Sequence, residues 1–108
     1  GIVSESTDPA AAADGAQVIY AKAWGGFERY TDPSVEEARR HANTDWRVTT
    51  DLMARTDNGL FMHCLPVRRG VVVDDAVLDE GPSLHLDQAE YRLHAQKAIL
   101  SMLWGAGE

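Results

Sequence analysis

Cysteine is almost missing from this sequence of 108 residues: Cys64 stands alone. One thiol cannot build an internal disulfide framework, and such usage fits a reducing compartment, so a cytoplasmic protein is expected. Long apolar runs are missing too. The longest is a few residues, against the roughly 20 that a membrane-spanning helix needs. The first residues, Gly1-Ile2-Val3-Ser4-Glu5-Ser6, have neither the basic start nor the apolar centre of a signal peptide. They also lack an initiator Met, as expected of a chain that begins inside a larger protein. Positive charge is in short supply: 10 Lys and Arg face 17 Asp and Glu, a net of −7 and a pI of about 4.9. Bulk charge of that sign excludes a grip on nucleic acid or on an anionic membrane, although a local arginine cluster still suits a small anion. There is no Gly-rich phosphate loop of the Walker or dinucleotide type and no Gly-x-Ser-x-Gly nucleophile elbow. The histidines His41, His63, His85 and His94 fall at no zinc-like spacing, so no metal site is expected.

What is present is ordinary globular material. Hydrophobic residues make up 44% and charged residues 25% of the chain, as in one domain or part of one. Asp8 caps a first helix, Pro9 takes its first position, alanines fill 10–13 and Gly15 stops it. Ile2 and Val3 read as the tail of a strand. Val18-Ile19-Tyr20 reads as a short buried strand, followed by a loop at Trp24-Gly25-Gly26. Asp32-Pro33-Ser34 opens a second helix to about residue 41, with Ser34 and Glu37 as a capping box. A third helix covers about 50–55 and ends at the turn Asp57-Asn58-Gly59. Leu60-Phe61-Met62-His63 has strand length, 64–70 is a loop, 71–73 is extended and 74–79 is a helical turn. Ser83-Leu84-His85-Leu86 alternates polar and apolar, the pattern of a last short strand. Asp87 caps a final helix over about 88–104 with Glu90 completing the box. Leu93, Ile99, Leu100 and Leu103 form its apolar face, with Ala89 and Ala98 as small packing residues. The alternation predicts an α/β chain with a mainly parallel sheet flanked by helices. Its strands are few and short, so the sheet is incomplete without more chain.

Three clusters can carry chemistry. His63-Cys64-Leu65-Pro66-Val67-Arg68-Arg69-Gly70 leaves the end of a predicted strand with a thiol, a rigid turn and two guanidiniums. Arginine forks match phosphate or carboxylate oxygens, so one reading is an anionic ligand beside a polarisable thiol. The plainer reading is a buried cysteine with two solvated arginines. In the second cluster, Arg92 falls near the start of the last helix, where a cation opposes the helix dipole unless it holds an anion. A surface ion pair is the plainer account. In the third, Lys22 follows a strand and can meet a substrate carboxylate, with Trp24 as a pocket wall; an ordinary strand end with a core aromatic is the alternative.

Taken together, Phe61-Met62-His63-Cys64-Leu65-Pro66, then Arg69-Gly70, then Asp87-Gln88-Ala89-Glu90-Tyr91-Arg92-Leu93-His94-Ala95-Gln96-Lys97-Ala98-Ile99 resemble the C-terminal part of an ornithine or N-acylornithine carbamoyltransferase. The resemblance covers about residues 15–104, the last third of such an enzyme. It implies attack of an amine on carbamoyl phosphate with phosphate leaving, and no cofactor. The implied fold has two α/β domains, with the site between them completed by a neighbouring subunit of a homotrimer. Residues 1–86 would then be part of the amino-acid-binding domain, and 87–108 a helix returning to the missing N-terminal, carbamoyl-phosphate domain. The signature Ser-x-Arg-Thr-Arg belongs to that missing domain.

By resemblance, Cys64 and Leu65 contact carbamoyl phosphate and the amino substrate, and Arg92 binds carbamoyl phosphate. His63 or the leaving phosphate accepts the amine proton. Plain ornithine enzymes carry Ser-Met-Gly after the first strand and Ala-His-Arg-Gly after the Leu-Pro. Ala21-Lys22-Ala23-Trp24 and Val67-Arg68-Arg69 look instead like the N-acetylornithine or N-succinylornithine type. Lys22 would then bind the substrate carboxylate, with Arg68 supporting the site. Val72 departs from this type, which has a lysine there, and Gly70 is closer to the ornithine type. The expected function is carbamoyl transfer to N-acetylornithine in arginine biosynthesis. The alternatives are ornithine carbamoyltransferase and a non-catalytic binding module, and the segment alone is expected to be inactive.

Overall fold

Two apolar stretches bounded by turn residues, Val18–Ala21 (β1) and Leu60–His63 (β2), pair in parallel with Val18 opposite Leu60 and Ala21 opposite His63. A parallel pair requires a crossover, and residues 22–59 supply it. They contain a 3₁₀ turn (Phe27–Tyr30), α2 (Pro33–Ala42), a second 3₁₀ turn (Thr44–Trp46) and α3 (Thr50–Ala54). Helix α1 (Pro9–Ala13) precedes β1, and α4 (Asp75–Asp79) and α5 (His85–Leu103) follow β2. The computed structural model describes residues 1–105, without the side chain of Arg29. Among them no helix is long and apolar enough to cross a membrane.

Helix α1 starts as predicted. The Asp8 carboxylate accepts from the amides of Ala10 and Ala11, a cap of the kind that contributes about 1 kcal/mol. Helix α2 starts differently. Asp32, not Ser34, is the cap: its carboxylate accepts from the Ser34 amide at 3.1 Å and from the Ser34 hydroxyl at 2.6 Å. With Pro33 at the first helical position, Ser34 lies inside the helix, and the predicted Ser34–Glu37 box does not form.

The core is small. Phe61, fully buried, packs with Val48, Val73, Val77 and Leu78, and Ile19, Ala21, Leu52, Met53 and Val67 lie against this cluster. β1 is less buried than its sequence predicts: the described residues cover only part of the face bearing Val18 and Tyr20, which stay half exposed. Ile2 and Val3 are fully exposed and form no strand. Residues 71–73 are a turn rather than an extended run, with only Val73 bridging, to Val48 and to Arg69.

The predicted strand at residues 83–86 shrinks to one bridge. Ser83 pairs in parallel with Phe61, whose amide donates to the Pro82 carbonyl while its own carbonyl accepts from the Leu84 amide. The chain then enters α5 at His85, so Asp87 lies within the helix and does not cap it. The first turn of α5 is anchored on the sheet. His85 is buried with its Nδ1 2.6 Å from the Ser83 hydroxyl, and Gln88 Nε2 donates to the Tyr20 hydroxyl at 2.7 Å. Beyond that turn the helix projects. The radius of gyration is 17.1 Å, where a compact domain of this length has about 13 Å. Leu93, Ile99, Leu100 and Leu103, the predicted apolar face, are all exposed.

Candidate functional site at the strand tips

The parallel register puts the carboxyl ends of β1 and β2 side by side, the edge where open α/β sheets bind ligands. Lys22 follows Ala21 and Cys64 follows His63, so the loops bearing Lys22 and Cys64–Arg68 leave the sheet together. Helix α5 starts beside the same edge and returns Arg92 to it: Arg92 Nη1 donates to the Cys64 carbonyl at 3.3 Å.

The bend after β2 is tight. The Leu65–Pro66 peptide is cis, and Leu65, a non-glycine residue, sits at φ 51°. A left-handed leucine is uncommon and persists only where its surroundings hold it. His63 supplies part of that hold, since its Nδ1 accepts from the Leu65 amide at 2.9 Å. The neutral ring therefore carries its proton on Nε2, which is buried and has no partner among the described residues. The ring is 1% exposed.

Burial, then the nearby charges of His85 and Lys22, holds the His63 pKa below the usual imidazole range. A lowered native pKa means the folded state binds fewer protons than the unfolded one. The stability this contributes is present above about pH 6.5, the unfolded value, and is lost as pH falls from there toward the folded value. In urea titrations of the intact protein, the midpoint is expected to fall between about pH 7 and 5.5. The fall should be shallower in His63→Gln, and an equal fall in both proteins would remove His63 as its source.

The ion pairs sort the cations. Arg39, Arg40, Arg47, Arg55 and Arg69 each lie within 4.0 Å of a carboxylate. Among the described residues Lys22, Arg68, Arg92 and the distant Lys97 have no such partner. The two adjacent arginines thus part company. Arg69 is spent on α4, bonded to Asp79 through both guanidinium nitrogens at 2.8 Å and to Asp75 at 2.9 Å, which keeps it firmly charged. Arg68 is left half-buried, its Nη1 buried with no partner among the described residues. Cys64 is a half-buried free thiol. Trp24 lines a cavity of about 240 Å³ with Glu36, Arg40 and Trp46, but Lys22, Cys64, Arg68 and Arg92 do not line it, so this is not a wall of the strand-tip site.

One sequence argument changes. Because α5 begins at His85, Arg92 is the eighth residue of the helix, beyond the first turn in which the dipole acts. Its case as an anion ligand rests instead on its reach to the β2 tip without a carboxylate partner. Tyr20, Gln88, Ser83 and His85, which seat α5, were not singled out by sequence. Ser83-Leu84-His85 carried a local signal in its spacing, whereas Tyr20 and Gln88 meet across 68 residues with none.

Two parallel strands joined by a helical crossover make this chain a segment of an α/β protein. The family model described as aspartate/ornithine carbamoyltransferase, Asp/Orn binding domain, matches residues 1–103, and the chain belongs to that family. An ornithine carbamoyltransferase of Cupriavidus taiwanensis is 44% identical over 106 residues, covering 95% of this chain and 33% of that protein. An N-acetylornithine carbamoyltransferase of Xanthomonas campestris pv. campestris is 42% identical over 105 residues, covering 97% and 31%. A solved acetylornithine transcarbamylase complexed with acetylcitrulline superposes with TM-score 0.79 at 43% identity, over 89% of this chain and 29% of that one. The chain thus spans about a third of the length of the curated relatives it matches.

Proposed function

We propose that the chain is the C-terminal segment of a carbamoyltransferase that moves the carbamoyl group of carbamoyl phosphate to the side-chain amine of N-acetylornithine. The observation that carries this reading is that Lys22 and Cys64 leave adjacent strand ends, Arg92 reaches the Cys64 carbonyl and Arg68 follows in the same loop, with none of the three cations ion-paired among the described residues. The neutral amine attacks the carbonyl carbon, the C–N bond forms, and the C–O bond to phosphate breaks with its electron pair leaving on phosphate. Arg92 offsets the growing negative charge, as fixed donors do for oxyanions. Cys64 and Leu65 present thiol and backbone to both substrates, while Lys22 and Arg68 take the substrate carboxylate. The amine proton goes to the departing phosphate, because neither ring nitrogen of His63 is free and accessible. His63 is a positioning residue for the Cys64–Leu65 bend.

Free ornithine is the second reading, favoured by Val72. This position bears a lysine in the acylornithine type, and here it is apolar and 1% exposed. Residues 1–86 form part of the amino-acid domain, and the returning helix packs on the carbamoyl-phosphate domain. The exposed Leu93, Ile99, Leu100, Leu103 and Trp104 make the apolar surface such packing would cover. The site is completed in a homotrimer.

The test is turnover by the intact protein with carbamoyl phosphate and either N-acetylornithine or ornithine. Preference for the acylated substrate is expected, and residues 1–108 alone should give none. Preference for free ornithine establishes the second reading. Failure with both leaves only a binding module, and turnover by the segment alone contradicts the missing-domain account.

A further inference from the structure

The loop that carries Arg68 is braced from outside by a residue far away in sequence. Residues 68–73 fold back on themselves: the Val72 amide donates to the Arg68 carbonyl at 3.0 Å, and the Gly70 amide to the Val73 carbonyl at 2.9 Å. Gly70 stands at φ 69°, a conformation that a side chain would strain. Val72 and Val73 tie the far end of the turn to the core, while Arg69 and Gly70 at its near end are exposed. Arg47, at the exit of the Thr44–Trp46 turn, spans it. Arg47 Nη1 donates to the Gly70 carbonyl at 3.2 Å, and Arg47 Nε pairs with Asp74 Oδ1 at 2.9 Å. The guanidinium thus holds the turn by one hydrogen bond at Gly70 and by an ion-pair contact, without hydrogen-bond alignment, at Asp74 just beyond it. The adjacent backbone completes the clamp, with the Val48 amide on the Val72 carbonyl and the Asp74 amide on the Val48 carbonyl, each at 2.9 Å. On the other side Arg69 is fastened to Asp75 and Asp79. Arg68 lies between Val67, which packs against the core, and the fastened Arg69, and its Nη1 is buried with no partner among the described residues.

We propose that Arg47, with Asp74, is a positioning residue that acts through Arg68 to aim its guanidinium at the carboxylate-bearing amino-acid substrate. The inference rests on the reading above that Arg68 meets that substrate. A flat guanidinium can donate to a carbonyl from one nitrogen while another lies against a carboxylate, which a lysine ammonium does not reproduce. The pair is part-exposed, 41% for Arg47 and 33% for Asp74, so its value lies in orientation more than in stability.

The experiment is steady-state kinetics of the intact protein as wild type, Arg47→Ala, Arg68→Ala and the double variant, using whichever of N-acetylornithine and ornithine it turns over. Arg47→Ala should raise KM for the amino-acid substrate about tenfold, the scale of supporting partners behind ligand-binding groups, with KM for carbamoyl phosphate unchanged. In the Arg68→Ala background the same substitution should add little, the non-additivity of residues acting as a unit. Arg47→Lys should recover only part of the loss. Equal effects on both substrates, or full additivity with Arg68→Ala, would show a merely structural residue and overturn the proposal. Should Arg47→Ala fail to fold, Asp74→Asn, which keeps the side-chain size, replaces it in the same cycle, and an unchanged KM there overturns the proposal equally. A wild-type protein with no carbamoyl transfer would refute the functional reading instead, a result distinct from active enzyme with an indifferent Arg47.

Discussion

Arg92→Ala in the intact protein is expected to lower kcat/KM for carbamoyl phosphate by about 10²–10³-fold, the range for losing one donor that faces developing negative charge. Arg92 lies against the β2 tip, 3.3 Å from the Cys64 carbonyl, and no carboxylate among the described residues competes for it. That single hydrogen bond to a carbonyl leaves most of the guanidinium's donors free for an incoming anion. The folded state should lose little, because the side chain is exposed and makes one long hydrogen bond and, among the described residues, no ion pair. Arg92→Lys should recover part of the activity, since an ammonium keeps the charge and loses the fork. Measured by initial rates against carbamoyl phosphate, an unchanged affinity would remove Arg92 from the site.

Phe61→Ala is expected to cost about 3–5 kcal/mol of stability, the usual range for truncating a buried aromatic side chain. Phe61 is fully buried at the centre of the largest apolar cluster, against Val48, Val73, Val77 and Leu78. Its backbone also pairs with Pro82 and Leu84, the step that seats α5. Domains as a rule hold about 5–15 kcal/mol in total, so this one cavity removes a large share. The effect should also reach Arg92, which depends on where α5 begins. A urea titration of the intact protein measures it. A loss under about 1 kcal/mol would mean that the cluster is not the core.

The contrast between these two residues shows how far the chain could be read without its fold. Both strands were legible because each is a short apolar run ended by turn-forming residues: Gly15 and Gly25 around one, Asn58-Gly59 and Pro66 around the other. Helix α1 was legible because Asp8 and Pro9 act on amides only two or three residues away. The start of α5 was not, since it depends on a bridge from Ser83 to Phe61, 22 residues earlier, which gave the alternating Ser83-Leu84-His85-Leu86 another use. The exposure of Val18 and Tyr20 was illegible for a related reason: apolar character says what wants burial, not what is present to cover it.

The site divides in the same way. Residue types alone offered two readings of the Cys64–Arg69 run, an anion site or a buried thiol with two solvated arginines, and did not choose between them. Arg68 and Arg69 are chemically identical neighbours, and only the packing of α4 decided which of them is free, by delivering Asp75 and Asp79 to Arg69. Arg47 gained its place at Gly70 only through the crossover, 23 residues away. Local signals act over a turn or two of chain, so sequence by itself determined the strands, the first cap and the inventory of charges. Which charges are neutralised, and which face a ligand, depends on distances that only the folded chain sets.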